Sequence, residues 1–189
     1  MIRIGILGNI GSGKSFVAKN FNYPIFNADQ EVAKIYKSDK KIFYKLNKIL
    51  PKYITDFPVN KKKISEAILN NNINLIKIVK IVHKEIRKKL NIFLKKNKSK
   101  KIVILDIPLL LENKINRKKD ILIFVDSKKK DILKRLKKRK NFNYKILNKF
   151  QSIQLPANIK KTKSQFIIKN DFKKKTVKVQ INHILKNII

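Results

Sequence analysis

Residues Gly8-Asn9-Ile10-Gly11-Ser12-Gly13-Lys14-Ser15 constrain this chain more than any other stretch, because they satisfy G-x-x-x-x-G-K-[ST] in the setting that pattern requires. An apolar run, Ile2–Leu7, precedes the loop. The apolar residues Phe16, Val17, Ala18 and Phe21 follow at a helix-like spacing. Strand, loop and helix in that order form the phosphate-binding unit of nucleotide-using proteins. Each residue type has a physical task. Small residues let successive backbone N–H groups turn toward one anion. A helix opening at Lys14 adds its positive end. Lys14 brings a mobile cation to the outer phosphates, and the Ser15 hydroxyl suits Mg²⁺. ATP binding is therefore expected, with Gly8, Gly11, Ser12, Gly13, Lys14, Ser15 and Phe16 around the phosphates.

Apolar runs alternate with helical patterns along the rest of the chain. Beyond the first strand, Tyr23–Asn27, Lys101–Asp106, Ile121–Asp126 and Phe166–Ile168 read as strands. This alternation predicts an α/β fold: a P-loop nucleoside-triphosphate-binding core with a five-stranded parallel sheet, helices on both faces, and ligands at the carboxyl ends of the strands. Residues 39–100 hold no strong strand. Their apolar spacing through Ile64–Leu69 and Ile73–Leu94 is helical, which predicts a helical substrate-binding insertion. Residues 141–163 are polar and aromatic, broken by Pro156, and read as a mobile lid. The core then comprises 1–38, 101–140 and 164–189, all one kinase unit. The final stretch from Lys173 predicts a closing helix, although Val177-Lys178-Val179 also fits the start of a strand.

Composition limits the setting. With 43% hydrophobic residues among 189, the chain can bury a full core. Cysteine is absent, so there is no disulfide framework or thiolate metal site. No apolar run is long enough to cross a bilayer, and the chain enters its first strand with no room for a signal peptide, so a cytoplasmic enzyme is expected. The formal net charge of +36 has two readings. One is a nucleic-acid surface. The other is codon bias, since lysine, asparagine and isoleucine, all with A/T-rich codons, dominate the sequence. The basic residues are nearly all lysine, the exceptions being Arg3, Arg87, Arg117, Arg135 and Arg139. Phosphate recognition favours arginine's planar fork, so the compositional reading is preferred and no specific nucleic-acid partner is expected. Where lysine is the default, a retained arginine suggests that geometry matters.

Several further residues carry potential chemistry. Asp29 follows the second strand, where a carboxylate can take a proton from an attacking hydroxyl; it also suits the N-cap of a helix starting at Gln30. Asp106 ends the third strand, as the acidic Mg²⁺ partner of a phosphate loop does, or as a turn former before Pro108. Glu112 follows six residues later. Arg135 and Arg139 are four apart beside the lid. They read as a clamp on transferring phosphate oxygens or as part of a solvated basic helix. His83 and Arg87, also four apart, can meet an anionic part of a second substrate or lie on an ordinary surface. Asp126 reads as a cap for a helix beginning near Ser127.

Taken together, these residues resemble the dephospho-coenzyme A kinase family over nearly the whole chain. Ile10–Ser15 matches the family's loop. Asn27-Ala28-Asp29 corresponds to its Asp-Ala-Asp, and His83 and Arg87 fall in its His-Pro-x-x-Arg region. The string from Leu105 to Glu112 follows L-D-x-P-L-L-F-E. Arg135-Leu136-x-x-Arg139 opens the lid and Gln154-Leu155-Pro156 closes it. Ile167-Ile168-Lys169-Asn170 resembles a V-I-x-N segment near the nucleotide base. The resemblance implies ATP-dependent phosphorylation of the ribose 3′-hydroxyl of dephospho-CoA, the last step of coenzyme A synthesis. Asp29 would be the base, with Lys14 and Arg139 beside it in catalysis. Asn170 would join the nucleotide contacts, and His83, Arg87, Asp106, Pro108 and Glu112 the acceptor side. Ser15 and Asp106 would hold Mg²⁺. A monomer or small homo-oligomer that uses no membrane is expected.

Asn9, Asn27, Lys84, Phe150 and Gln165 depart from the family pattern. Asn9 replaces a glycine, which narrows backbone freedom. Two rivals remain: another small-molecule or nucleotide P-loop kinase, and a nucleic-acid-stimulated ATPase.

Overall fold

The computed structural model describes residues 1–139 and 142–189. The expected junction of core and lid, at residues 140 and 141, lies outside them. The described residues pack as two units: Met1–Asn27, Leu94–Phe142 and Ile153–Ile189 form the first, and Ala28–Phe93 with Asn143–Ser152 the second.

The first unit holds five strands: β1 (Ile2–Gly8), β2 (Ile25–Asn27), β3 (Ile102–Asp106), β4 (Ile121–Asp126) and β5 (Phe166–Lys169). They form one sheet in the order β2-β3-β1-β4-β5, and every pairing is parallel. A parallel sheet is buried on both faces, so its strands read as continuous apolar runs rather than alternating ones. The central strands show this: β3 is buried at every position and β1 at all but its first residue. Helix α1 (Lys14–Asn20) and the last helix, running Lys174–Ile188, cover the sheet. Ile4, Ile6, Ile104, Ile123 and Ile168 from the strands meet Val17 and Phe21 of α1 and Val177, Ile181 and Ile184 of the last helix.

That terminal helix settles the open reading at Val177-Lys178-Val179. Val177 is buried while Val179 is exposed, and the buried positions recur every three or four residues, a helical period. At the amino end of the strands, Arg3 and Asp120 form a buried ion pair at 3.0 Å, and Arg3 also donates to the Ile115 carbonyl. Desolvation holds the Asp120 carboxyl above its ordinary range and the Arg3 guanidinium below its own. One arginine retained in a lysine-rich chain thus serves a buried, geometry-demanding contact.

The second unit is helical, as the insertion's periodicity predicts. It contains α2 (Ala28–Ser38), α3 (Lys40–Ile49), α4 (Lys61–Asn70), most of α5 (Asn72–Lys96) and, after the α6 segment Lys129–Lys137 of the first unit, α7 (Tyr144–Ser152). Leu75, Ile78, Val82, Ile86 and Leu90 make one buried stripe along α5. Asp39 caps α3 by accepting from the Ile42 N–H, and Asn60 caps α4 through the Lys62 N–H. Helix α7 packs on α4, and Lys149 donates to Asn72 at 2.7 Å. The stretch read as a lid thus contains α7 and, in the first unit, α8 (Ala157–Thr162), for which Pro156 is the N-cap; the terminal helix is α9. Among the described residues, no helix is long and apolar enough to cross a membrane.

Candidate active site

All five strands of the first unit point the same way, so their carboxyl ends share one edge. The phosphate loop follows β1 at that edge, Asn27 ends β2, Asp106 ends β3, and Ser127 and Asn170 follow β4 and β5.

The loop's backbone is built on positive φ angles at Gly8, Gly11 and Gly13, but not at Asn9. The departure at position 9 therefore carries no conformational cost, contrary to the expectation that a side chain there would be restrictive. Gly13 is the position where a side chain is excluded twice over. Its φ is 89°, and a Cβ would stand 2.3 Å from Asn170 Nδ2 and 2.8 Å from the Phe172 ring. At Gly11 a Cβ would strike Ile132 and Leu136 of α6, both at 2.9 Å. Glycine at these positions thus lets the loop pack closely against α6, Asn170 and Phe172. Lys14 curls back over it, its ammonium donating to the Gly8 carbonyl at 3.0 Å and the Asn9 carbonyl at 2.9 Å. The Ser12 N–H closes the turn onto the Asn9 carbonyl at 3.1 Å. Ser12 Oγ is buried and has no hydrogen-bond partner.

Asp106 is buried, and Asn27 lies level with it in the β2–β3 ladder. The Asn27 amide donates to Asp106 Oδ2 at 2.6 Å. This gives the departure at position 27 a physical account. An amide steadies the neighbouring carboxylate, where a second carboxylate would repel it. Ser15 is exposed at the start of α1. A hydroxyl and a carboxylate are hard oxygen donors, the chemistry Mg²⁺ takes alongside phosphate oxygens. Among the described residues no cluster of three His, Cys, Asp or Glu side chains forms an all-protein cage.

Asn170, expected near the nucleotide base, packs on the loop itself. Its side-chain amide donates to the Ser12 carbonyl at 2.8 Å, its Oδ1 accepts from the Phe172 N–H, and its own N–H reaches the Asp126 carbonyl. Phe172, with a φ of 65°, lays its ring beside Gly13, and the Arg135 guanidinium sits 4.1 Å above that ring. Arg139 is exposed just beyond α6. Asp126 does not cap a helix. Helix α6 begins only at Lys129, and the Asp126 carboxylate accepts from Lys161 at 2.8 Å instead. Gln165, another departure, exchanges hydrogen bonds with Leu122 from both its backbone N–H and its side-chain oxygen.

Pro108 is half-buried in the segment after β3, and Glu112 follows it. Glu112 Oε1 accepts from the Leu155 N–H and from the Lys160 ammonium, both at 2.9 Å, and Lys160 is fully buried. One oxygen of Glu112 therefore ties the Gln154-Leu155-Pro156 segment and α8 to the loop after β3. Lysine 160 was invisible to sequence reasoning because lysine is everywhere in this chain. Ser127 was read only as the start of a helix.

The remaining candidates belong to the second unit. Asp29 lies in the first turn of α2, exposed. The helix starts at Ala28, two residues before the expected Gln30, so Asp29 is inside the helix and does not cap it. His83 and Arg87 lie four apart on α5, His83 half-buried and Arg87 exposed.

Residues 2–176 match the family model described as dephospho-CoA kinase, CoaE. A dephospho-CoA kinase of Wolbachia sp. subsp. Brugia malayi (strain TRS) is 33% identical over 98% of this chain and 97% of its own length. Among solved structures, a Thermus thermophilus protein superposes with a TM-score of 0.77 at 21% identity, covering 100% of this chain and 98% of that one. A dephospho-CoA kinase from Campylobacter jejuni gives 0.63 at 21% identity, over 98% and 96% of the two chains.

Proposed function

Because this chain belongs to the dephospho-CoA kinase family, we propose that it transfers the γ-phosphoryl group of ATP to the ribose 3′-hydroxyl of dephospho-CoA, giving coenzyme A. The observation that carries the reading is the family match over residues 2–176 on a chain whose phosphate loop, Gly8–Ser15, lies at the carboxyl edge of an all-parallel sheet.

Phosphoryl transfer asks little covalent chemistry of a protein. It asks for positioning and for charge where charge develops. In this reading the glycine cradle receives the phosphates. Lys14 exchanges its two loop carbonyls for phosphate oxygens. Asp29 orients the acceptor hydroxyl and takes its proton as the new O–P bond forms and the bond to the β-phosphate oxygen breaks. Arg139 offers a guanidinium to the transferring oxygens. Bound Mg²⁺ supplies neutralising charge on the phosphates, and Ser15 and Asp106 are the residues assigned to it. Asn27 holds the Asp106 carboxylate in place. His83, Arg87 and Pro108 are assigned to the acceptor. The expected division stands as part of the proposal: core 1–38, 101–140 and 164–189, insertion 39–100, and lid 141–163. A cytoplasmic enzyme, monomeric or a small homo-oligomer, is part of it too.

A coupled assay with Mg-ATP and a panel of acceptors tests this. Dephospho-CoA is expected to outpace nucleosides and nucleotides by a wide margin. A nucleoside as the better acceptor overturns the substrate. ATP hydrolysis that depends on added RNA or DNA overturns the kinase.

A further inference from the structure

The Ser12 carbonyl receives two side-chain donors from two different strand ends. Ser127 Oγ donates to it at 2.9 Å and Asn170 Nδ2 at 2.8 Å. A carbonyl oxygen has two lone pairs, so the pair of donors saturates it. The cis peptide of the described chain is Phe57–Pro58, and the Ser12–Gly13 bond is trans. In a planar trans peptide, C=O and N–H point in opposite directions. Holding the Ser12 carbonyl toward β4 and β5 therefore turns the Gly13 N–H the other way. Gly13 itself offers little resistance to a flip of that peptide. It is a glycine at φ 89° with no side chain, in a loop whose glycines permit a peptide flip.

We infer that Ser127 and Asn170 act together as positioning residues for the phosphate cradle, clamping the Ser12–Gly13 peptide so that the Gly13 N–H is presented to a phosphate oxygen. The inference rests on the nucleotide-binding reading above and deepens it. Topology explains why these two residues do the work. Asn170 N–H bonds to the Asp126 carbonyl at 2.7 Å, which zips the ends of β4 and β5 together and sets Ser127 and Asn170 side by side under the loop. Asn170 is committed further, because its Oδ1 holds the Phe172 N–H. Ser127 Oγ gives its proton to the clamp, which makes this residue the sharper probe.

The test is calorimetric titration of ADP and of inorganic tripolyphosphate into the full-length protein and its variants. One lost hydrogen bond to the loop is expected to weaken ADP binding by about five- to tenfold in Ser127→Ala. Tripolyphosphate is expected to weaken by the same factor, since the defect lies in the phosphate cradle. The KM for ATP rises in parallel while kcat stays within about twofold. Ser127→Thr keeps the hydroxyl and restores binding; Ser127→Cys, of similar size but a weak donor, does not. Asn170→Ala weakens ADP at least as much. A scaffold role alone would lower the melting temperature and leave ADP affinity unchanged. Equal ADP affinity in wild type and Ser127→Ala overturns the inference alone, as does equal affinity of the Thr and Cys variants, which decides the matter if the Ala variant does not fold. A wild-type protein that binds no ADP overturns the kinase reading and this inference with it.

Discussion

Glu112→Gln is the most informative single change, because it separates a structural carboxylate from a substrate-binding one. Glu112 Oε1 takes the Lys160 ammonium and the Leu155 N–H, each at 2.9 Å, and the two side chains are only 10% and 2% exposed. The glutamine keeps an oxygen for Leu155 but removes the charge, leaving a buried ammonium with Gln154 Oε1, at 3.2 Å, as its other acceptor. Breaking a buried pair from one side costs about 3–5 kcal/mol. For a chain of this size, each kcal/mol moves the melting temperature by about 2–4 °C, so a fall of roughly 6–20 °C is expected. The double variant Glu112→Leu, Lys160→Met removes both charges together and is expected to recover most of that loss, since two apolar side chains need no partner. Circular-dichroism melts at neutral pH read both effects, and the kinase assay reads the rest. If Glu112→Gln melts within about 2 °C of wild type while the KM for dephospho-CoA climbs, the buried-pair reasoning is wrong and Glu112 belongs to the acceptor.

Three other outcomes follow from the same structure. Asp29→Ala is expected to lower kcat by about 10²–10⁴-fold with ADP affinity unchanged, and retained turnover removes Asp29 as the base. Gly13→Ala forces a Cβ to 2.3 Å from Asn170 Nδ2 at a φ of 89°. It should cost about 1–3 kcal/mol in a urea melt and abolish measurable ADP binding; a variant with normal affinity would show that the loop repacks freely. The Lys173 N–H, with help from the Thr176 hydroxyl, holds the Asp171 carboxyl below its usual range. Its contribution is present above the ordinary carboxylate range and lost as pH falls through the lowered value. The gap in urea midpoint between wild type and Asp171→Asn is therefore expected at about pH 6 and expected to shrink as pH falls below the ordinary carboxylate range, and a gap independent of pH contradicts it.

Much of the architecture was legible along the chain because the relevant forces act over short distances. Continuous apolar runs predicted all five strands to within two residues of their observed ends, since strands buried on both faces tolerate little else. The α5 stripe and the glycine loop were equally local. Where reading failed, the deciding contact was remote. Asp29 looked like a cap because the start of α2 depends on how the chain leaves β2. Asp126 looked like a cap because Lys161, its partner, lies 35 residues away.

The sequence by itself determined that this chain folds into an α/β unit with a phosphate loop between a strand and a helix, because hydrophobic period and glycine spacing are properties of neighbours. Tertiary structure alone decided how that loop is held and how the carboxylates at and beyond the other strand ends are partnered. The donors to the Ser12 carbonyl come from 115 and 158 residues away, and the amide on Asp106 from 79. Among so many lysines and asparagines, no local pattern marks which few are buried. Only packing the strand ends along one edge removes water from those groups, and a polar group that loses water must find its partner there.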